Sequence, residues 1–117
     1  MNDSILLSIK SLLGLSDDYD AFDSEILMHI NSAISVVSQL GVPIADGYTV
    51  TSPEDKWGDI IPPNTNLEML KTLIFFKTKK AFDPPQNGTA MSALDSQISE
   101  LEWRVNVEVD TGGNNNA

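Results

Sequence analysis

The residues of this chain that could do chemistry are few and widely spaced. His29 is the single histidine, there is no cysteine, and no serine lies in a G-x-S-x-G sequence that would present it as a nucleophile. Without a second histidine or a cysteine, His29 could join a metal site only together with carboxylates. We interpret it as a hydrogen-bonded packing residue at the margin of a helical apolar face, although composition alone leaves a Ser-His-Asp arrangement open.

An acidic run at residues 17–23 has the carboxylate density of the start of a calcium-binding loop. It lacks the glycine at the sixth position and the glutamate at the twelfth that such loops require. A solvated linker is the better interpretation. No phosphate-binding loop, dinucleotide fingerprint or zinc motif occurs elsewhere. We therefore predict no catalytic residues, no cofactor and no metal.

The net charge of −10 arises from 17 acidic and 7 basic residues. So acidic a protein does not wrap nucleic acid by neutralising phosphates. We interpret the basic cluster of Lys77, Lys79 and Lys80 as positive charges that complement the dipole at the end of a helix. The alternative is that the cluster forms a binding surface for an acidic partner. Apolar runs are far shorter than the ~20 residues of a membrane span, and the acidic N-terminus is unlike a signal peptide. We expect a soluble protein of intracellular origin.

Apolar spacing predicts two helices in the first third of the chain. The first covers Ser4 to Leu13, and Gly14 follows where a left-handed residue ends a helix. The second begins at Asp23, which is expected to act as its N-cap, and ends at Gly41. The acidic linker between the two helices carries apolar side chains that should fold back onto the core.

A long connector, residues 44–66, separates the second helix from the third. Alternation at residues 48–51 allows a short β element, and residues 52–57 indicate a capped turn with proline at its first helical position. Connectors of this length in a small domain are usually functional or disordered. The apolar content of this connector argues against simple disorder.

The rest of the chain predicts a helical hairpin. The third helix runs from about Leu67 to Phe82 with Asn66 as its cap, and its wide apolar arc places it at the centre or between two partners. After a proline-rich turn, the fourth helix has an apolar seam with heptad spacing. From Trp103 onward, apolar and polar residues alternate with a period of two, which allows a short strand. The seam consists of Met91, Leu94, Ile98, Leu101 and Val105.

These elements predict an all-α fold, a small bundle of about four helices with the extended connector between the second and third. Residues 1–110 are predicted to form a single domain, and the Gly/Asn-rich residues 111–117 a flexible tail.

Three blocks of the chain resemble the tailed-phage head–tail connector proteins, a family that includes prophage copies. They are the second helix from Asp23 to Val42, the third helix from Asn66 to Pro85, and the segment from Leu101 to Val107. Their order and spacing match the family, and the resemblance extends over most of the chain.

The resemblance implies a structural virion protein without enzymatic activity. Its copies would form a ring, dodecameric in the virion, beneath the portal protein at the head–tail junction, after assembly in the host cytoplasm. The ring would extend the channel through which double-stranded DNA passes without specific binding, and would dock a downstream connector or tail-completion protein. The connector at residues 44–66 could reach an adjacent ring and become ordered only there. No membrane is involved.

A ring with head-to-tail contacts needs two different apolar patches on each subunit. Exposed Met and Trp residues are enriched at the centres of interfaces, and the third helix and the seam of the fourth supply further apolar surface. The residues predicted for subunit or partner interfaces are Met28, Trp57, Phe75, Phe76, Met91, Leu94, Ile98, Leu101 and Trp103.

The net charge also permits an alternative function, an acidic DNA-mimic inhibitor protein of a phage or prophage. A mimic needs a regular row of acids on one face. Here the acids are scattered and mixed with lysines, so the structural function is favoured.

Overall fold

The computed structural model describes residues 4–44, 48–60 and 66–115. These residues form five helices and no sheet, which confirms the predicted all-α class. Four of the helices are those expected from the sequence, and the fifth is the single turn α3. In chain order the helices are α1 (Ile5–Leu12), α2 (Asp23–Gln39), α3 (Trp57–Ile60), α4 (Leu67–Phe82) and α5 (Gly88–Asn115).

Helix α4 is the centre of the fold, because α2 and α5 both pack against it while α1 packs against α2. Its residues Leu70, Leu73 and Ile74 are almost completely buried. The wide apolar arc of α4 is thus explained by two covering helices. Asn66 caps α4 as predicted, since its side-chain oxygen accepts a hydrogen bond of 3.1 Å from the Met69 N–H.

The first helix is tied to the second by a buried lysine. Lys10 is fully buried, and its Nζ lies 2.9 Å from Asp23 Oδ1. The same ammonium group donates a hydrogen bond of 3.1 Å to the Asp17 carbonyl in the acidic linker. The prediction that Asp23 is the N-cap of α2 is therefore wrong. The cap position is held by Phe22 without a side-chain hydrogen bond, and the Asp23 carboxylate is used in the ion pair with Lys10.

The C-terminal end of α2 packs closely against α5. Gly41 has a φ of 109°, and a Cβ atom at this position would lie 2.9 Å from Val109 Cγ1. Next to it, Asn106 Nδ2 donates a hydrogen bond of 3.1 Å to the Leu40 carbonyl. A glycine is thus required here both for the left-handed backbone and for the close approach of α5.

The short strand expected after Trp103 does not form, because α5 continues through this region to Asn115. Val105 is buried while Val107 is partly exposed, as expected for two positions on opposite faces of a helix. The helix extends into residues 111–117, for which the sequence predicts a flexible tail. The domain boundary at residue 110 stays a prediction.

The described part of the connector is folded against its own chain. Asn31 on α2 holds it in place with two hydrogen bonds, from its Nδ2 to the Val50 carbonyl (3.0 Å) and from the Val50 N–H to its Oδ1 (2.8 Å). Trp57 is buried, and its Nε1 donates a hydrogen bond of 3.2 Å to Ser8 Oγ on α1. Residues 48–60 are thus ordered within one subunit, contrary to the expectation of an arm ordered only on a neighbouring ring. Residues 45–47 and 61–65, which also belong to that expectation, lie outside the described residues.

Asp55 organises the turn before α3. Its carboxylate accepts hydrogen bonds from the backbone N–H groups of Thr51 (2.8 Å) and Ser52 (3.1 Å) and from the Tyr48 hydroxyl (2.8 Å). These donors, with the Thr51 N–H contributing most, hold the pKa of the Asp55 carboxyl below its ordinary value. Burial, with the neighbouring carboxylate of Asp55, raises the pKa of Tyr48 to about 12.

We expect the turn at residues 48–57 to be stable near neutral pH and to open in acid. Because the folded-state pKa of Asp55 is depressed, its contribution is present above the unfolded-state pKa of about 4. It is lost as the pH falls through the lower folded-state pKa. Asp55→Asn should accelerate hydrogen exchange of the Thr51 and Ser52 amides at pH 7. Asp20→Asn, the same change at an exposed aspartate outside this turn, is the control, and equal exchange rates in the two variants would contradict the assignment.

Candidate assembly surface

The structure places the single histidine on α2, beside an acidic side chain. His29 Nε2 lies 3.5 Å from Glu25 Oε2, one turn earlier on α2, and the imidazole is partly buried as expected for a packing residue. Within residues 4–44, 48–60 and 66–115, no group of three or more His, Asp or Glu side chains could hold a metal ion.

The acidic linker carries an aromatic cluster at the surface. The rings of Tyr19 and Phe22 meet edge to face with centroids 5.9 Å apart, and Phe22 meets Phe82 of α4 in the same way at 5.4 Å. Tyr19 and Phe22 both remain more than 40% exposed. The prediction that the linker folds back onto the core is thus correct for Leu15, which packs against the core, but not for Tyr19 and Phe22, which stay at the surface.

The lysines at the end of α4 form ion pairs within the chain. Lys77 Nζ lies 2.7 Å from Glu102, and Lys80 Nζ lies 2.6 Å from Asp95, so both connect α4 to α5. The interpretation of these two lysines as dipole complements is thus incomplete. Each pair is partly solvent-exposed and should contribute less than about 1 kcal/mol, but together the pairs neutralise this side of α5.

The predicted interface residues fall into three groups. Trp57, Leu94 and Ile98 are buried in the core of the single chain, so they have little surface left for a partner. The half-buried residues are Phe75, Phe76, Met91 and Leu101. Met28 and Trp103 are 57% and 66% exposed. Met28 and Trp103 therefore have the most surface left for a partner, the interface assignment itself stays a prediction, and Trp103 lies in a groove.

The Trp103 groove lies between α5 and the N-terminal end of α4. Its volume is about 400 Å³, and its apolar surface comes from Trp103, Val107 and Met69. Arg104 and Glu108, one helical turn apart on α5, provide a cation and an anion at its edge. The groove thus combines an exposed aromatic side chain with charges of both signs.

The Leu12 groove lies between α1 and α4 and has a volume of about 500 Å³. Leu12 is 60% exposed, and Phe75 is partly buried beside it. Glu68 and Lys71 on α4 again provide one anion and one cation. Sequence reasoning missed Leu12, because its spacing places it in the same apolar stripe as the buried Ile9, and no local signal separates the two.

Helix α4 contributes to both grooves. Met69 lines the Trp103 groove, whereas Glu68, Thr72 and Phe75 line the Leu12 groove. Glu68 and Thr72 are exposed on the surface of α4. The molecule therefore presents two separate apolar surfaces of different composition.

Among the described residues, none of the helices combines the length and the apolar character needed to cross a membrane.

The fold and these grooves define a class of protein: a small helical domain with two apolar grooves on its surface. Comparison with protein families gives a match to the phage connector protein family over residues 5–112. The chain belongs to this family, which confirms the resemblance of the three sequence blocks and assigns the protein a structural role at the head–tail junction of the virion. The comparisons with curated proteins and with solved structures give no match.

Proposed function

We propose that copies of this protein form a ring at the head–tail junction, which extends the DNA channel of the portal protein and docks the tail or the next connector. The two apolar grooves are the observation that carries this proposal. A ring of identical subunits joined head to tail has heterologous contacts, so each subunit must offer two different surfaces. The Trp103 and Leu12 grooves meet this requirement.

The size of the grooves suggests that a single contact between subunits is weak. Burial of one large apolar side chain stabilises a complex by about 1.5–3 kcal/mol, and each groove exposes one such residue strongly, Trp103 or Leu12. The loss of translational and rotational freedom on association costs about 4–15 kcal/mol. Closure of a ring, or a portal that holds the copies together, provides the additional stabilisation. In isolation the protein is accordingly a monomer or an unstable oligomer.

The charge of the protein suits a conduit for DNA. Among the described residues, six of the seven Lys and Arg side chains already lie within ion-pair distance of a carboxylate. The net charge of −10 is therefore an excess of carboxylates. A wall with this excess repels phosphates within a Debye length of ~8 Å, so double-stranded DNA passes without specific binding. No catalytic activity is part of this function.

The acidic DNA-mimic function has less support. The Lys77–Glu102 and Lys80–Asp95 pairs interrupt the acidic residues of α5 with cations of α4, and a mimic requires an uninterrupted row of negative charges.

Sedimentation velocity over a wide range of protein concentrations, combined with negative-stain microscopy, tests the ring. We expect a monomer at low concentration, and ring-shaped particles at high concentration or after addition of the portal protein. A protein that remains monomeric at every concentration and does not bind the portal would overturn the proposal.

A further inference from the structure

The two grooves have complementary charges. On the Trp103 groove, Arg104 and Glu108 are four residues apart on α5, and on the Leu12 groove, Glu68 and Lys71 are three residues apart on α4. Each groove therefore has one cation and one anion about one helical turn apart beside an apolar centre. Two such surfaces can face each other with opposite charges aligned at both positions.

The charges at the grooves are weakly engaged within the chain. Arg104 pairs with Glu100 at 3.6 Å, and Lys71 pairs with Glu68 at 3.9 Å. The Arg104 and Glu100 side chains are both more than half exposed, and so is Glu68. The exposed Arg104–Glu100 pair contributes little, so its exchange for partners on another molecule costs little, whereas the Lys71 side chain is only 20% exposed. The ammonium of Lys71 also lies 5.6 Å above the Trp57 ring, which positions the cation at the groove.

Charge balance also favours a second copy of this chain as the occupant. Two molecules with a net charge of −10 repel each other. Contact between them is most favourable where each surface is close to neutral, and both grooves satisfy this condition.

We propose that the Trp103 groove of one copy docks onto the Leu12 groove of the next copy. Arg104 then faces Glu68, Glu108 faces Lys71, and the Trp103 and Leu12 side chains are buried between them. The proposal rests on the ring proposed above and specifies its subunit contact. Because the two grooves differ, each copy keeps one of them free for a further neighbour, and the chain of contacts extends until it closes.

Disulfide cross-linking tests this contact directly, because the natural sequence contains no cysteine. The variant with both Glu68→Cys and Arg104→Cys is oxidised mildly at a concentration at which the wild-type protein assembles, with the portal present if assembly requires it. We expect a ladder of covalent dimers, trimers and larger species. A mixture of the two single variants should give heterodimers only. The control variant, Ser35→Cys with Arg104→Cys, should give no ladder, since Ser35 is exposed on α2 and lies outside both grooves.

Each alternative outcome of the cross-linking experiment has a defined meaning. Covalent dimers from Arg104→Cys alone would indicate that two Trp103 grooves pair symmetrically, and would overturn the head-to-tail contact. Absence of cross-links while the wild-type protein forms rings would overturn the contact and leave the ring standing. A wild-type protein that never assembles, with or without portal, would overturn the ring and the contact together.

Charge reversal provides a second readout. Arg104→Glu should weaken assembly by ~tenfold or more, because it places two acids opposite each other. Addition of Glu68→Arg to the same chain should restore assembly. Lys56→Glu, an equal change of charge outside both grooves, is the control. Failure of the second substitution to restore assembly, while both variants remain folded, would contradict the proposed pairing.

Discussion

Lys10→Met is expected to lower the free energy of unfolding by about 3 kcal/mol. Methionine fills most of the volume of the fully buried lysine, but it leaves the Asp23 carboxylate and the Asp17 carbonyl without their cationic partner. Removal of one partner from a buried ion pair costs about 3–5 kcal/mol. The Asp23 side chain is 25% exposed, which places the expected loss at the lower end. Urea unfolding followed by circular dichroism measures it.

A double-mutant cycle separates the contribution of the ion pair to stability from the contribution of side-chain packing. Asp23→Asn alone also breaks the pair, and Lys10→Met with Asp23→Asn should be less destabilising than the sum of the single changes, since no unpaired charge remains. The exposed Lys56→Met is the control for the loss of one positive charge, and it should change the free energy of unfolding by less than about 0.5 kcal/mol. Additive effects in the cycle would show that Lys10 contributes through its volume and not through its charge.

Gly41→Ala is expected to destabilise the protein by about 2–3 kcal/mol, because two separate costs add. A φ of 109° is strained for alanine, and the new Cβ would lie 2.9 Å from Val109 Cγ1. The second cost makes this position unusual among helix-ending glycines. Since Val109 is on α5, the substitution should also loosen the contact between α2 and α5. Urea unfolding gives the loss of stability, and hydrogen exchange of the amides at residues 105–109 reports the local effect.

Two further variants separate the costs at Gly41. Val109→Ala removes the clashing methyl group, so adding it to Gly41→Ala should recover part of the loss and leave the backbone strain. Gly58→Ala is the matched control, because Gly58 has open space at the Cβ position and lies in the short helix α3, where alanine is favoured. A loss for Gly41→Ala no larger than that for Gly58→Ala would refute the argument.

The parts of the fold that depend on local physics were predictable from the sequence. The Asn66 cap, the left-handed glycines at the ends of α1 and α2, and the central position of α4 each follow from a few adjacent residues. The errors involve contacts between distant segments. Asp23 has the features of an N-cap, but Lys10, distant in sequence, takes its carboxylate.

The same distinction between local patterns and contacts of distant segments applies to the candidate site. Trp103 could be predicted as exposed, because it lies off the apolar seam of its helix. Trp57 could not be predicted as buried, because its partners, Ser8 on α1 and Lys71 on α4, are distant in sequence. Leu12 could not be predicted as exposed, because it lies in the same apolar stripe as the buried Ile9. Periodicity shows which face of a helix is apolar, but it does not show where along that face the neighbouring helices stop burying it.

The pairing of α1 with the turn before α3 has a consequence for the proposed ring. The Ile5 N–H donates to the Asp55 carbonyl at 3.0 Å, and Trp57 bonds to Ser8, so α1 is held by segments far along the chain. The Leu12 groove combines this helix with α4. A partly folded or truncated copy therefore lacks the Leu12 groove. In the ring that we propose, correct folding would thus act as a checkpoint, because only a complete subunit would offer both grooves to its neighbours.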